Sequence, residues 1–584
     1  MGQFQVEGIN AAAPFTLKIH RGEGMVLLAM NWKVGTPPDN FAGFAIEYIE
    51  PGKVKPARVH NRIGFPGQID DDDDGRFPST KAPIQKFRWV HVPGGTLRSG
   101  TYRYIVTPMF WHTSPDDLER GEPQEAELDL LRTTLPGKLD IGFTRGFVSS
   151  QAFVGRYGGQ DAVAQLVAPV SAEGLDFVPT HPKAGEALPW MGFEARRLVL
   201  GLLDQAVAQG SEVSAIAYDL NLPEVVERFE QLGPRLSIII DDSAHHKDAS
   251  APESRAAVRL VAAGARVKRQ HMSNLQHHKS IAVSGGGMNH VLLGSTNYTW
   301  RGFYVQSNNA LIIESAAAVE RYKAAFDVYF AAKRGADFRK HPVAVGWHPL
   351  GIEGVDAQIA WSPHPGDGGV LDDVAATVRG AQLSVLFSLA FLGQTTKGSV
   401  GPAIGKIIED GTIHTMGIAD ARVSAGNIGV AVISPDSQRR IVRAAALINN
   451  VPEPFLSEPS SLAGVDGKAR GTRMHHKFVV VDFNTENACV YLGSYNFSVP
   501  ADQENGENLV SIRDRTVATS YMVEAVRIYD HYRFRVARAD ARDSARHAPR
   551  PLALRFPPSK PGEKPWFWRD WNEPARIRDR EIFA

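Results

Sequence analysis

The alternation of apolar and polar positions divides the chain into two kinds of region. Up to about residue 135, short apolar runs rich in β-branched and aromatic residues are separated by Gly and Pro turns, a pattern typical of an all-β unit. The predicted strands cover residues 25–34, 41–49, 87–92 and 101–107. We therefore expect residues 1–135 to form a β-sandwich domain.

Farther along the chain, apolar runs of strand length alternate with segments of helical periodicity, which predicts an α/β fold. In the first half the predicted strands are 139–148, 212–218, 236–240 and 266–270, and the predicted helices are 193–208, 223–231, 251–263 and 316–331. In the second half the strands are 357–361, 383–387, 412–416 and 429–433, and the helices are 370–379, 403–409 and 516–537. The repeated order predicts two similar lobes, lobe 1 (136–340) and lobe 2 (341–545), packed about a pseudo-twofold axis.

One polar motif occurs once in each predicted lobe. Residues 277–279 read His-His-Lys and are followed by an apolar run and by Gly-Ser-Thr-Asn at 294–297. Residues 475–477 repeat His-His-Lys before an apolar run, Asp482, and Gly-Ser-Tyr-Asn at 493–496. We interpret the repeat as an internal duplication in which two halves build one active site.

The spacing within each motif suits phosphoryl chemistry. Residues two apart on a strand share a face, so His277 and Lys279 are expected side by side, as are His475 and Lys477. The intervening histidines then point to the opposite face. An imidazole can attack phosphorus or carry a proton, and an ammonium group can hold a non-bridging oxygen.

Two asparagines complete the predicted site. Asn297 and Asn496 each follow a tight Gly-Ser turn, and their amides can donate hydrogen bonds to the same phosphoryl oxygens. One histidine, one lysine and one asparagine from each lobe could thus converge on a single phosphodiester.

The doubled HxK(x)4D and GSxN pattern resembles the phospholipase D superfamily over roughly residues 138–545. The resemblance implies a two-step mechanism without metal or cofactor. One motif histidine attacks phosphorus and forms a phosphohistidine, and the other protonates the leaving oxygen and then activates water or an alcohol. The implied catalytic residues are His277, Lys279, Asn297, His475, Lys477, Asn496 and Glu507, and the supporting residues are Ser295, Asn308, Asp482 and Ser494.

The two copies differ at two positions of the pattern. Ser284 stands where the first motif should carry an aspartate, which Asp482 supplies in the second; this position faces away from the His-Lys side, so we expect a supporting role. In the family, a glutamate such as Glu507 orients a motif histidine, and Asn308 occupies its place in the first copy. We expect Glu507 to pair with His475 of its own lobe.

The roles of the two histidines follow from the resemblance and from local chemistry. The family pattern favours the first motif for the covalent bond, which makes His277 the nucleophile. A carboxylate beside His475 would raise its pKa and help it to act first as an acid and then as a base.

Composition narrows the class of protein. The 584 residues suggest three to four domains, and a 43% apolar content permits large cores. A net charge of zero does not indicate non-specific nucleic-acid binding, although a local basic groove stays open. The single cysteine, Cys489, rules out an intramolecular disulfide and gives no support to a Cys/His metal site.

The sequence also gives an expectation for the cellular location of the protein. The first residues lack a basic segment followed by an apolar one, and no apolar run reaches the roughly 18 residues of a membrane span. We expect a cytoplasmic protein, with export by a signal-independent route left open. Because both halves of the site lie in one chain, an oligomer is not required.

Three functions fit these observations. The first is a phospholipase D type enzyme that hydrolyses or transfers a phospholipid headgroup, with possible peripheral contact to a membrane. The second is an endonuclease acting on DNA or RNA, since residues 493–498 with Asn505, Glu507 and Asn508 resemble the small bacterial nuclease branch of the family. The third is a non-catalytic module that captures phosphate.

Four other parts of the sequence carry weaker signals. Trp32 and residues 100–104 resemble a fibronectin type III or immunoglobulin-like sandwich. The Pro- and Trp-rich tail 546–584 is predicted to pack over a lobe, with a membrane-interface role as the alternative. The acidic run 70–74 is interpreted as a solvated loop. Residues 245–247 spell a third His-His-Lys without the downstream pattern, and we interpret them as a loop that either is incidental or lines the substrate entrance.

Overall fold

The structure is a computed structural model of the chain. It describes residues 3–68, 75–94, 98–146, 150–168, 174–366, 369–423, 427–433, 441–445, 474–543 and 553–584. The acidic run 70–74 lies outside the described residues.

The N-terminal region is built from two antiparallel sheets that face each other. The first sheet contains, in order, Gln5–Glu7, Phe15–Gly22, Met25–Trp32 and Arg88–His91. The second contains Leu118–Arg120, Gly100–Trp111, Phe41–Ile49 and Ala57–Arg58, and Gln124–Leu130 also pairs with Gly100–Trp111. Alternate residues of both sheets, such as Ile19 and Tyr104, share one buried apolar cluster. The predicted β-sandwich is confirmed.

Lobe 1 is organised around a seven-stranded sheet. Its strands are, in order, Leu139–Phe143, Asn309–Glu314, Met288–Gly294, Lys279–Gly285, Glu212–Ala217, Leu236–Ile240 and Arg266–Arg269. Its α-helices are Gln151–Tyr157, Gln160–Leu166, Ala184–Ala208, Pro223–Leu232, Pro252–Ala262, Trp300–Tyr304, Ala316–Ala331 and Gly335–Phe338. Along the first motif strand, Ile281 and Val283 belong to one apolar cluster and Ala282 to another, because the sheet is covered on both faces.

Lobe 2 repeats this sheet with two changes. Its strands are, in order, His348–Pro349, Asp356–Ser362, Glu507–Arg513, Cys489–Gly493, Lys477–Val481, Ser384–Leu389, His414–Val423, Asn427–Ile433 and Ile441–Ala445. Its α-helices are Leu371–Arg379, Val400–Asp410, Val499–Gln503 and Arg515–Asp543. The six strands from Asp356–Ser362 to His414–Val423 match the first six of lobe 1 in order. The predicted α/β fold with two similar lobes is confirmed. The two changes lie at the edges, where lobe 2 adds the short strand His348–Pro349 on one side and an antiparallel hairpin on the other.

The two lobes exchange backbone hydrogen bonds directly beside the motif strands. The His277 amide donates to the Gly506 carbonyl at 2.8 Å, and the His475 amide donates to the Ser307 carbonyl at 3.1 Å. Each motif strand therefore begins against a segment of the other lobe. This crossing brings both His-Lys pairs to one interface.

The C-terminal tail packs mainly on the β-sandwich. The indole groups of Trp566 and Trp571 donate to the carbonyls of Phe41 and Gly35, each at 2.9 Å, and Phe567 is buried in the sandwich core. The tail ends in the helices Arg569–Asn572 and Pro574–Ile582. The tail was predicted to pack over a lobe, and its last residues do so, since the Phe583 ring stacks on that of Phe483 in lobe 2 at 5.8 Å. Its tryptophans pack instead on the sandwich core. Among the described residues, no helix is long and apolar enough to cross a membrane.

Candidate active site

The structure brings the two His-Lys pairs together at the interface between the lobes. All four side chains are buried, with exposed fractions of 5% or less. Lys477 Nζ lies 3.1 Å from His475 Nε2, so the two side chains share a face as their spacing predicts. Lys279 Nζ donates to the backbone oxygen of His277 at 2.5 Å.

Glu507 lies beside the histidine of the other lobe. Its Oε2 is 3.1 Å from His277 Nδ1, while its Oε1 accepts a hydrogen bond from Asn505 Nδ2 at 2.8 Å. The prediction that Glu507 pairs with His475 was wrong. The reason is the crossing of the backbones, which places the start of the Glu507–Arg513 strand against the start of the first motif strand.

Asn308 makes the reciprocal contact with His475. Its Oδ1 lies 2.9 Å from His475 Nδ1 and also accepts a hydrogen bond from Ser295 Oγ at 2.9 Å. Its Nδ2 donates to the Gly302 carbonyl at 3.0 Å, which fixes the amide orientation. An acceptor at Nδ1 selects the tautomer that carries its proton there, so Nε2 of His475 is left to accept from Lys477.

Burial and charge set the protonation of the site. Burial lowers the pKa of His277 well below its usual value, and the charges of Lys279 and Lys477 lower it further. Burial followed by the same two lysines also lowers the pKa of His475. Both imidazoles are therefore uncharged in the substrate-free site near neutral pH.

The same buried environment shifts the pKa values of the two lysines and of Glu507. Burial lowers the pKa of Lys279 to about 8, although Glu507 and Asp219 oppose the change. Burial also lowers the pKa of Lys477, and it raises the pKa of Glu507 to about 8. A bound phosphodiester anion would offset the positive charge of the lysines and favour protonation of an adjacent histidine.

The Gly-Ser turns hold this geometry in both copies. Gly294 has a φ of +141° and Gly493 a φ of +147°, a region that favours glycine. A Cβ at either position would meet a backbone oxygen within 2.4 Å. Ser295 Oγ accepts from the Asn309 amide at 3.0 Å, and Ser494 Oγ accepts from the Asn508 amide at 3.1 Å.

The two motif asparagines have different neighbours. Asn297 Nδ2 donates to Asp219 Oδ2 at 2.5 Å, and Asn297 Oδ1 is buried without a partner. Asn496 Oδ1 is also buried without a partner, and no described carboxylate accepts from its amide. Sequence reasoning missed Asp219, although an aspartate directly after a buried strand beside the motif strand was a usable signal.

Aromatic residues border the two histidines differently. The Tyr218 ring lies 4.6 Å from the His277 ring, and the half-buried Phe391 ring lies 6.4 Å from the His475 ring. Tyr218 and Phe391 each follow the strand that pairs with a motif strand. Sequence analysis identified those strands but not the residues after them.

The intervening histidines serve packing on the opposite face, as predicted. His278 Nδ1 lies 2.9 Å from Asn508 Nδ2, and its ring lies 4.9 Å from that of Tyr329. His476 Nε2 lies 3.0 Å from the buried carboxylate of Glu524.

Asp482 supports the site through the backbone. Its carboxylate accepts from the amides of Gln382, Leu383 and Ser384 at distances of 2.8–3.2 Å, which anchors the start of the adjacent strand. The partly exposed Ser284 instead accepts from Lys323 Nζ at 3.3 Å. Neither side chain contacts a described motif histidine.

The third His-His-Lys segment lies next to the site. His245 and Lys247 are exposed, whereas His246 is buried and lies 3.0 Å from Asp219. Ligand atoms of Asp219, His246 and Glu253 lie within 4.8 Å of one another, which makes these three the one group of described residues that could hold a metal ion.

Two matching α/β lobes that place paired imidazole, ammonium and amide groups at one interface define a duplicated protein with a single composite site. The family model described as cardiolipin synthase, PLD-like domain, matches residues 204–329 and 421–529. These two segments contain both motifs, and the predicted resemblance to the phospholipase D superfamily is confirmed.

Individual relatives are similar over shorter stretches. The chain is 41% identical over 59 residues to mitochondrial cardiolipin hydrolase of Xenopus tropicalis, a match that covers 10% of this chain and 26% of that protein. It is 30% identical over 117 residues to phospholipase D of Rickettsia bellii (strain RML369-C), covering 19% of this chain and 52% of that protein. Among solved structures, phosphatidylserine synthase of Haemophilus influenzae Rd KW20 has 13% identity and a TM-score of 0.39, covering 62% of this chain and 88% of that chain.

Proposed function

We propose that the protein is a metal-independent phosphodiesterase that hydrolyses or transfers a phospholipid headgroup through a covalent phosphohistidine. The observation that carries this proposal is the meeting of His277, Lys279, His475 and Lys477 at one buried interface. Two imidazoles supply a nucleophile and a proton carrier, and two ammonium groups can neutralise the phosphoryl oxygens.

In the first step, His277 Nε2 attacks phosphorus. A proton on its Nδ1 faces Glu507, so the lone pair of Nε2 is available. The N–P bond forms while the bond from phosphorus to the leaving oxygen breaks, and His475, which takes up a proton at Nε2 when the substrate anion binds beside the lysines, gives that proton to the leaving oxygen. Asn297 and Asn496 donate hydrogen bonds to the non-bridging oxygens.

In the second step, His475 acts as the base. Its Nε2 takes a proton from water or an alcohol, whose oxygen attacks phosphorus while the N–P bond breaks. His277 is thereby restored. Water gives hydrolysis, and an alcohol gives headgroup exchange.

The cross-lobe contact supports the assignment of His277 as the nucleophile. Phosphorylation of Nε2 makes the imidazole cationic, and this charge favours the ionised form of Glu507 at 3.1 Å, whose pKa burial raises to about 8 in the substrate-free site. The carboxylate then stabilises the cation. Asn308 offers His475 a neutral oxygen, which fixes its tautomer without adding charge. Because His475 must both lose and gain a proton, the neutral oxygen of Asn308 suits it as a partner.

A lipid substrate is favoured over nucleic acid by two observations. The names of the matched family model and of the sequence relatives refer to cardiolipin and to phospholipase D. In addition, the half-buried ring of Phe391 gives the lobe 2 side an apolar border beside His475. An acyl-glycerol group fits such a border without hydrogen-bonding partners.

The direct test is turnover of cardiolipin, phosphatidylglycerol and phosphatidylcholine vesicles beside single-stranded DNA, all with EDTA present. We expect release of headgroup or phosphatidate from at least one lipid and no DNA cleavage, with both reactions absent in His277→Ala. DNA cleavage without lipid turnover would replace the lipid proposal with a nuclease. Activity that is lost on chelation and restored by a divalent ion would contradict the metal-independent mechanism.

A further inference from the structure

His246 is held between two carboxylates next to the proposed site. Its Nε2 lies 3.0 Å from Asp219 Oδ1, and its Nδ1 lies 2.7 Å from Asp241 Oδ2. The side chain is buried, and its carbonyl accepts from Arg269 Nη2 at 2.6 Å, which fixes the loop. Contacts at both ring nitrogens require both to donate, so the ring is an imidazolium.

The two carboxylates lead from His246 to the proposed phosphate-binding groups. Asp219 Oδ2 accepts from Asn297 Nδ2 at 2.5 Å. Asp241 Oδ1 accepts from the Gln276 amide at 2.6 Å, one residue before His277. The His246 side chain therefore links two carboxylates. Asp219 holds the first motif asparagine, and Asp241 holds the start of the first motif strand.

Asn297 needs such a partner to present its amide in one orientation. An amide nitrogen carries two hydrogens, so a bond from one of them to Asp219 leaves the other for a phosphoryl oxygen. The same bond fixes which side of the amide carries nitrogen. Without Asp219, the buried amide could rotate and turn its unpartnered Oδ1 toward the anionic substrate.

Among the described residues of lobe 2, no carboxylate holds the motif asparagine in this way. Strand register places Phe391 at the position of Asp219, because Ala217 pairs with Lys279 as Leu389 pairs with Lys477. No described carboxylate accepts from Asn496. Among the described residues, a carboxylate contact to the motif asparagine is thus found in lobe 1 alone.

We propose that His246 and Asp219 are positioning residues that orient the amide of Asn297 toward a phosphoryl oxygen of the substrate, a role that rests on the proposed function. His246 holds Asp219 and Asp241 in place, Asp219 holds Asn297, and neither residue takes part in bond making. The third His-His-Lys segment thereby gains a role through its middle residue.

Protonation of His246 persists over the range in which the site works. Burial lowers its pKa, but the hydrogen bonds to Asp219 and Asp241 raise it overall to about 10. Glu253 adds a further carboxylate, whose Oε1 accepts from the Leu220 amide at 3.0 Å. The imidazolium is therefore charged at neutral pH and acts as a fixed cation.

The test is a double-mutant cycle on hydrolysis of bis(p-nitrophenyl) phosphate, an activated diester. His246→Ala and Asp219→Ala should each lower kcat/KM by about 10²-fold, the typical cost of a misplaced group. Because His246 acts through Asn297, His246→Ala should cause little further loss in an Asn297→Ala background. His246→Gln, which keeps a donor for Asp219, should recover part of the activity.

His245, the exposed neighbour of His246, provides the matched control. His245→Ala should leave kcat/KM and the melting temperature unchanged. If His246→Ala does not fold, the conservative His246→Gln variant supplies the cycle in both backgrounds. Losses in kcat/KM that simply multiply in the double variant would overturn the positioning role, as would full activity of folded His246→Ala.

Two further outcomes distinguish failure of the positioning role from failure of the proposed function. If the wild-type protein hydrolyses no diester, the proposed function fails rather than the positioning role. If EDTA abolishes activity and added Zn²⁺ restores it only while His246 is present, the Asp219, His246 and Glu253 group is a metal site and the positioning proposal is wrong.

Discussion

Lobe 1 and lobe 2 share a scaffold but surround their motif histidines with different groups. In both, a glycine with positive φ and a serine hydroxyl hold the turn that carries the motif asparagine. The histidine of lobe 1 faces the carboxylate of Glu507, whereas that of lobe 2 faces the amide oxygen of Asn308. The duplicated backbone fixes where the side chains meet, and the unequal partners distinguish their roles.

The difference also shows that each lobe completes the site of the other. Glu507 belongs to lobe 2 but serves His277, and Asn308 belongs to lobe 1 but serves His475. A single lobe would present a histidine without its partner. We therefore expect changes in either lobe to affect one common reaction.

The largest expected effect comes from the histidines themselves. His277→Ala and His475→Ala should each lower kcat for a lipid diester by about 10⁴-fold or more, because nucleophile and proton carrier act as a unit. Steady-state kinetics on the substrate identified by vesicle assays measures this loss. A single variant that keeps half of the activity would indicate two independent sites.

The partners of the histidines should have smaller and unequal effects. Glu507→Gln removes the carboxyl group that ionises beside a phosphorylated His277 and should lower kcat by about 10³-fold. Asn308→Ala removes only the orientation of His475 and should cost at most about 10²-fold. Equal losses at the two positions, measured on the same diester, would contradict the division of roles.

A third comparison concerns stability. Asp482→Ala removes the acceptor of three backbone amides, of which that of Ser384 is buried, and should lower the free energy of unfolding by about 1–3 kcal/mol. Ser284→Ala, the matched change in lobe 1, should stay within about 0.5 kcal/mol. Denaturant unfolding of both variants measures these two changes. Equal losses in the free energy of unfolding would show that position 284 supports lobe 1 in the same way.

A further comparison is the pH dependence of stability introduced by His246. Its pKa in the folded protein is raised from 6.5 to about 10, so its contribution to stability is complete below about pH 6.5. That contribution is lost as the pH rises toward 10. The melting temperatures of wild type and His246→Gln should therefore converge between pH 6.5 and 10, and a constant difference would argue against an imidazolium.

The motif spacing predicted the faces of the two motif strands, because a strand has a fixed period of two residues. It could not predict that Glu507 lies beside His277, since sequence spacing reports neighbours within one copy only. That contact depends on the pairing of Gln276 with Gly506, a tertiary bridge between lobes.

The contacts of Asp219 and His246 were not predicted, for a related reason. Both residues reach the site from loops that follow two different strands, and only the register of the sheet brings those loops together. The same register places Phe391 beside His475. The sequence did not place the tail tryptophans on the sandwich, because tryptophans indicate burial but not the surface on which they are buried.

The identity of the covalently modified histidine is tested most directly by a burst measurement with bis(p-nitrophenyl) phosphate. This leaving group needs no proton, so His475→Ala should release one nitrophenol per enzyme molecule and then stop, with phosphorus on the peptide that carries His277. His277→Ala should give no burst and no labelled peptide. A burst from His277→Ala, with the label on the His475 peptide, would contradict the account.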